Sequence, residues 1–104
     1  MSKYIVLYLT AVEVEIGTLS IPDQARIKAA EEALVLGDFQ ALYIKSLKGP
    51  IRELIVGNYR LVFFYWKENS ILFVDIFRKK SNKTPLRIIR HAERIYKMVM
   101  QRKE

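Results

Sequence analysis

Apolar side chains crowd into Tyr4–Thr10, a run rich in Tyr, Ile, Val and Leu that predicts a first strand. Residues 11–20 fit helix and strand spacings equally. At Ser20-Ile21-Pro22-Asp23 the pattern turns helical, with Pro in the first turn and an acid behind it. Ile27, Ala30, Ala33 and Leu34 then share one helical face, and Gly37 is a C-terminal stop. The spacing predicts a helix over 22–36.

The middle of the chain reads as β. Ala41–Lys45 is a short strand closed by Gly49-Pro50, and Ile51–Val56 is another. Gly57-Asn58 is a two-residue hairpin signal leading into Tyr59–Lys67. Glu68-Asn69-Ser70 then turns the chain into Ile71–Arg78. These connections are too short for parallel crossovers, so the strands form an antiparallel meander. A tight Gly57-Asn58 turn pairs residue 56 with 59, 55 with 60 and 53 with 62. Tyr59–Trp66 and Ile71–Phe77 are apolar at nearly every position, whereas a sheet with one wet face alternates. Either both faces are covered within the chain, or apolar surface is left as a candidate interaction site. Thr84-Pro85 opens the last helix, with Thr84 as N-cap and Pro85 at the first position. Ile88, Ile89, Ala92, Ile95, Tyr96 and Val99 form its apolar face, and Arg87, Arg90, Arg94 and Lys97 a basic stripe. Gln101–Glu104 is expected to fray. The chain has no internal repeat, low-complexity tract or linker.

Composition narrows the classes. A length of 104 residues fits one domain over 1–104. The absence of Cys excludes a disulfide scaffold, an Fe–S cluster, a Cys nucleophile and Cys-ligated zinc. His91 is the single histidine, which argues against His-rich metal sites and His-based triads. No metal and no cofactor is expected. No apolar run approaches the roughly 18–20 residues that span a bilayer, and the N-terminus lacks a signal-peptide pattern, so the expected location is cytoplasmic.

Charge is unevenly spread. Residues 1–42 sum to −3, whereas residues 43–104 sum to +10. That asymmetry points to a polyanionic partner, nucleic acid above all, or to a solvated cationic face. The strongest local feature is Phe77-Arg78-Lys79-Lys80-Ser81-Asn82-Lys83-Thr84-Pro85. Cations beside a helix N-terminus are unfavourable unless they serve an anion, which makes this stretch a candidate phosphate site. A second set is Lys45, Lys48, Arg52 and Arg60. Arg60 lies in a strand, either free for a ligand or paired with Glu53 diagonally across the hairpin. Phe63, Phe64 and Phe73 read as core, while Tyr43 and Tyr59 at strand starts suit surface work such as base stacking. Phosphate-binding Gly loops, zinc-protease motifs and nucleophile elbows are missing.

The order of elements and several segments resemble the RelE/ParE superfamily of type II toxins, in its phage-derived HigB-like branch. The resemblance runs over roughly 19–96: Leu19-Ser20, Gln24-Ala25-Arg26, Lys45-Ser46-Leu47-Lys48-Gly49, Ile51-Arg52-Glu53-Leu54, Tyr59-Arg60-Leu61-Val62-Phe63, Phe77-Arg78-Lys79-Lys80 and Lys83-Thr84-Pro85. It implies an α+β, RelE-like domain: an N-terminal strand and helix packed on a twisted antiparallel sheet, then a C-terminal helix. It implies a toxin held by a cognate antitoxin, a helix-turn-helix DNA-binding protein, and ribosome-dependent cleavage of mRNA without metal. The matching positions nominate Arg60 as a phosphate clamp, and the candidates for catalysis are Arg60, Lys80, Lys83 and, toward the C-terminal end where relatives carry a His or Tyr, His91. Lys45, Lys48, Arg52, Arg78, Lys79, Arg87 and Arg90 are nominated to bind RNA. Two other readings stand beside this one: a non-catalytic ParE-like binder of gyrase, and an inactive phage-derived relative.

Overall fold

The computed structural model describes residues 3–101. Ile5–Tyr8 forms strand β1, which runs into helix α1, Thr10–Gly17. The ambiguous stretch is thus helical: Leu9 carbonyl accepts from the N–H groups of Val12 (2.9 Å) and Glu13 (3.1 Å). The helix buries Val12 and leaves Val14 63% exposed, so the Val12-Val14-Ile16 alternation that mimics a strand has no strand-like burial. Helix α2, Ile21–Leu36, starts where its signals place it, the Ser20 hydroxyl accepting from Asp23 N–H at 3.2 Å. It stops at Gly37, whose φ of 74° favours a residue without Cβ.

A 3₁₀ turn over Phe39–Ala41 delays the next strand, so β2 is Ile44–Lys48 rather than 41–45. Strand β3 is Ile51–Val56, β4 is Tyr59–Trp66, β5 is Ser70–Arg78, and helix α3 is Leu86–Gln101. Of the stretch expected to fray, 102–104 lie outside the described residues, and Gln101 is still helical. The five strands lie in the order β1-β5-β4-β3-β2. The meander is antiparallel with the expected hairpin register: Val56 faces Tyr59, Ile55 faces Arg60 and Glu53 faces Val62. Among the described residues β1 alone pairs in parallel, on β5.

Both faces of the sheet are covered. Leu54, Leu61, Phe63, Ile71, Phe73 and Ile76 pack with Val12, Ile27 and Leu34 under α1 and α2. Ile51, Val62, Phe64, Leu72 and Val74 pack with Ile88 and Ala92 under α3. This two-sided burial is why β4 and β5 do not alternate. Phe63, Phe64 and Phe73 are core as expected, each contributing about 1.5–3 kcal/mol. An extra residue in β5, Val74, breaks the register between Val62–Asp75 and Phe63–Phe73. The bulge sends Val74 to the α3 side and Ile76 to the opposite core, which strict alternation would put on the same side. Apolar side chains still exposed include Ile5, Ile21, Tyr43 and Met98.

Candidate nucleic-acid interface

The site grows out of the β3–β4 hairpin. Gly57 takes a φ of 58°, and the two-residue turn sets Arg60 opposite Ile55 on one side and Phe77 on the other. The Arg60 guanidinium donates through Nη1 to the carbonyls of Gly57 (3.1 Å) and Tyr59 (3.0 Å). These bonds hold it at the mouth of the hairpin, and the ion pair with Glu53 offered by the sequence does not form. Close backbone carbonyls reach the guanidinium without the desolvation that a buried diagonal carboxylate demands.

Past Arg78 the chain stays with the hairpin for one more residue, Lys79 N–H donating to Asn58 carbonyl at 2.8 Å. It then crosses the end of the sheet. The Ser81 hydroxyl donates to Lys83 carbonyl at 3.1 Å, and the Thr84 hydroxyl donates to Glu53 Oε1 at 2.6 Å. Thr84 therefore ties the loop to the sheet and does not cap α3 through its side chain. The first helical turn hangs on Pro85 carbonyl, which accepts from Ile88 (3.0 Å) and Ile89 (3.3 Å). Pro85 thus precedes the helix, which begins at Leu86.

Between hairpin and loop lies a cleft of about 330 Å³. Lys45, Arg60, Lys79 and Lys83 line it together with Glu53 and Thr84. A second depression of about 260 Å³ opens on the other side of the loop, lined by Arg78, Lys80, Lys83 and Arg87. Among the described residues none of these cations makes a salt bridge. Arg78 leans on the Tyr59 ring, 5.7 Å from its centroid. Arg90, one turn beyond Arg87 on α3, is exposed. Cations without carboxylate partners around two adjoining hollows form an arrangement of the kind that favours phosphate groups.

Of the nominated residues, Arg90, Lys48, Arg52 and His91 line neither hollow. Lys48 pairs with Glu93 of α3 at 3.4 Å. Arg52 lies over the Tyr65 ring, 5.4 Å from its centroid, and its Nε is buried without a partner. His91 does not line the cleft. Its Nδ1 sits 3.3 Å from Asp75 Oδ2 beside Val12 and Glu15, where β5 runs on past the end of β1. Tyr96 packs edge-on against Phe64, 4.9 Å between ring centroids, and belongs to the core. Pairing of Glu53 with Arg60 is one of the two alternatives the sequence leaves open. Glu53 is instead 3% exposed on the cleft floor and bound to Thr84, a contact across 31 residues that no local pattern announces.

The family described as phage derived protein Gp49-like (DUF891) matches residues 15–97, a span that takes in the cleft and the adjoining depression. The chain belongs to the Gp49-like family. No curated protein matches this Gp49-like chain. Among solved structures it is similar to a chain of the archaeal RelE-RelB complex from Pyrococcus horikoshii OT3, with a TM-score of 0.65 and 17% identity over 74% of this chain and 96% of that one. It is also similar to a chain of the toxin-antitoxin complex RelBE2 from Mycobacterium tuberculosis, with a TM-score of 0.53 and 20% identity over 78% and 97%. For the RelB-RelE antitoxin-toxin complex from Methanococcus jannaschii the TM-score is 0.52, with 21% identity over 69% and 88%. The α+β fold of this Gp49-like protein is RelE-like. Among its described residues no helix is long and apolar enough to cross a membrane.

Proposed function

We propose that this Gp49-like protein is the toxin of a toxin-antitoxin pair, of the HigB-like kind, and that it cuts mRNA on the ribosome in the cytoplasm. The observation that carries the reading is the unpaired cationic cleft around Arg60, at the end of a RelE-like sheet. In the proposed reaction a ribose 2′-hydroxyl attacks the adjacent phosphorus, negative charge grows on the phosphoryl oxygens, and the bond to the 5′-oxygen breaks, leaving a 2′,3′-cyclic phosphate and a 5′-hydroxyl with the net proton transfer running from the 2′-oxygen to the 5′-oxygen. Arg60, already held by two carbonyls, is oriented to clamp those oxygens, and Lys80 and Lys83 neutralise the growing charge. Lys45, Arg78, Lys79, Arg87 and Arg90 carry the flanking phosphates. Lys48, Arg52 and His91 stand outside the cleft in this reading. The partner is a cognate antitoxin, by analogy with the antitoxin of the solved toxin-antitoxin complexes, and the HigB-like resemblance makes it a helix-turn-helix DNA-binding protein.

The reading as a non-catalytic, ParE-like binder of gyrase draws on one observation: neither His nor Tyr lines the cleft, which leaves proton transfer to Glu53 or a lysine. Induced expression in a bacterial host, with primer extension on a reporter mRNA, separates the two. The ribonuclease reading predicts growth arrest with new 5′ ends inside translated codons, and their loss in Arg60→Ala. Arrest with intact mRNA supports the gyrase-type reading, and no arrest supports an inactive relative.

A further inference from the structure

We propose that Glu53 is the specificity-determining residue of the cleft, the acceptor that recognises the ribose 2′-hydroxyl and so selects RNA. The inference rests on the nucleic-acid reading above. Its starting point is a carboxylate placed where a simple phosphate site would not have one. Glu53 is 3% exposed and lines the cleft beside Lys45, Arg60, Lys79 and Lys83. Lys45 is its direct neighbour across the β2–β3 ladder. Among the described residues it nevertheless makes no salt bridge. Its hydrogen bond comes from the neutral Thr84 hydroxyl, at 2.6 Å on Oε1.

A carboxylate offers two oxygens and about four acceptor positions, of which Thr84 fills one. It has no donor to give. Toward phosphate it is repulsive, and it weakens the attraction of the four surrounding cations. What it rewards is a ligand that brings an O–H next to its phosphate. In nucleic acids the ribose 2′-hydroxyl is that group, and it is what separates RNA from DNA. Burial in β3 holds Glu53 in place, and Thr84 ties the cation-bearing loop to it.

The test measures binding of short single-stranded oligonucleotides to the full chain by fluorescence anisotropy. One oligonucleotide is RNA. The other carries 2′-fluoro groups throughout, which keep the ribose pucker but cannot donate. Wild type is expected to prefer RNA by about tenfold, the size of one hydrogen bond to a charged group. In Glu53→Met the preference falls to within about twofold, while affinity for the 2′-fluoro strand rises because the repulsive charge has gone. Glu53→Gln keeps an acceptor for Thr84, guards against a folding failure, and is expected to lower the preference by about threefold, neutral acceptors being weaker. Thr84→Val is expected to weaken both strands and leave their ratio standing. A wild-type ratio within twofold overturns the Glu53 inference alone. So does a ratio that survives in Glu53→Met, or one that collapses equally in Thr84→Val, which would make Glu53 only a fastener of the loop. Failure of wild type to bind either strand overturns the nucleic-acid reading and this inference with it.

Discussion

Neutralising the cleft one cation at a time gives a quantity that charge alone dictates. Lys45, Arg60, Lys79 and Lys83 converge on one hollow and lack salt-bridge partners among the described residues. Each phosphate they neutralise releases a condensed counterion. For a single strand the slope of log affinity against log salt is about −0.7 per phosphate. The four cleft contacts contribute about −2.8 to the slope, which amounts to roughly a fiftyfold loss of affinity between 50 and 200 mM salt on their account alone. Replacing any one of the four by Ala makes the slope shallower by about 0.7 and cuts the cleft's share of that loss to roughly twentyfold. Lys28→Ala, on α2 and away from the cleft, leaves the slope unchanged. The assay is oligonucleotide anisotropy titrated across salt. A slope that ignores the four cleft substitutions, or that drops equally for Lys28→Ala, refutes the assignment of the cleft as the phosphate track.

Other consequences concern stability and the limits of the site. Phe63→Ala empties the centre of the sheet and should cost about 3–5 kcal/mol in denaturant unfolding, because Phe63 is fully buried against Phe73 at 5.2 Å between ring centroids. Burial and the neighbouring Glu31 hold the Tyr8 phenol above its ordinary range, its O–H donating to Glu31 Oε1 at 3.1 Å. The shift is upward, so its contribution to stability is full below the unfolded phenol's ordinary value near 10 and is lost as pH rises above it. In melting experiments Tyr8→Phe should lose about 0.5–1.5 kcal/mol at neutral pH and show a flatter alkaline limb. His91→Ala should leave oligonucleotide affinity within about twofold, because its partner is Asp75 and it lies outside the cleft.

The elements that the sequence announces are those fixed by local chemistry. β3 is bounded by Pro50 and Gly57, and both ends fall where the turn residues put them. The hairpin register follows because a two-residue turn admits one pairing. Ser20 and Gly37 likewise frame α2. What remains hidden depends on distant neighbours. The parallel pairing of β1 with β5 joins residues 65 apart, such as Ile5 and Ser70, and leaves no mark on either strand. The β5 bulge at Val74 redistributes Asp75 and Ile76 in a way that alternation cannot anticipate. The cationic cluster around 78–83 was legible as charge beside a helix start. Its geometry was not, because it depends on where Arg60 and Thr84 find acceptors. Arg60 chose nearby carbonyls, and Thr84 chose Glu53 over the helix end it was expected to cap.

The most direct test of the central claim uses purified protein, ribosomes programmed with a defined mRNA, and 5′-end mapping, with Arg60→Ala in parallel. The account predicts cuts within the ribosome-bound codons, fragments ending in 2′,3′-cyclic phosphate, and a loss of at least a hundredfold in cutting rate for Arg60→Ala, as for removal of one charge-stabilising donor. Intact mRNA with wild-type protein, or cutting that Arg60→Ala leaves unchanged, would contradict it.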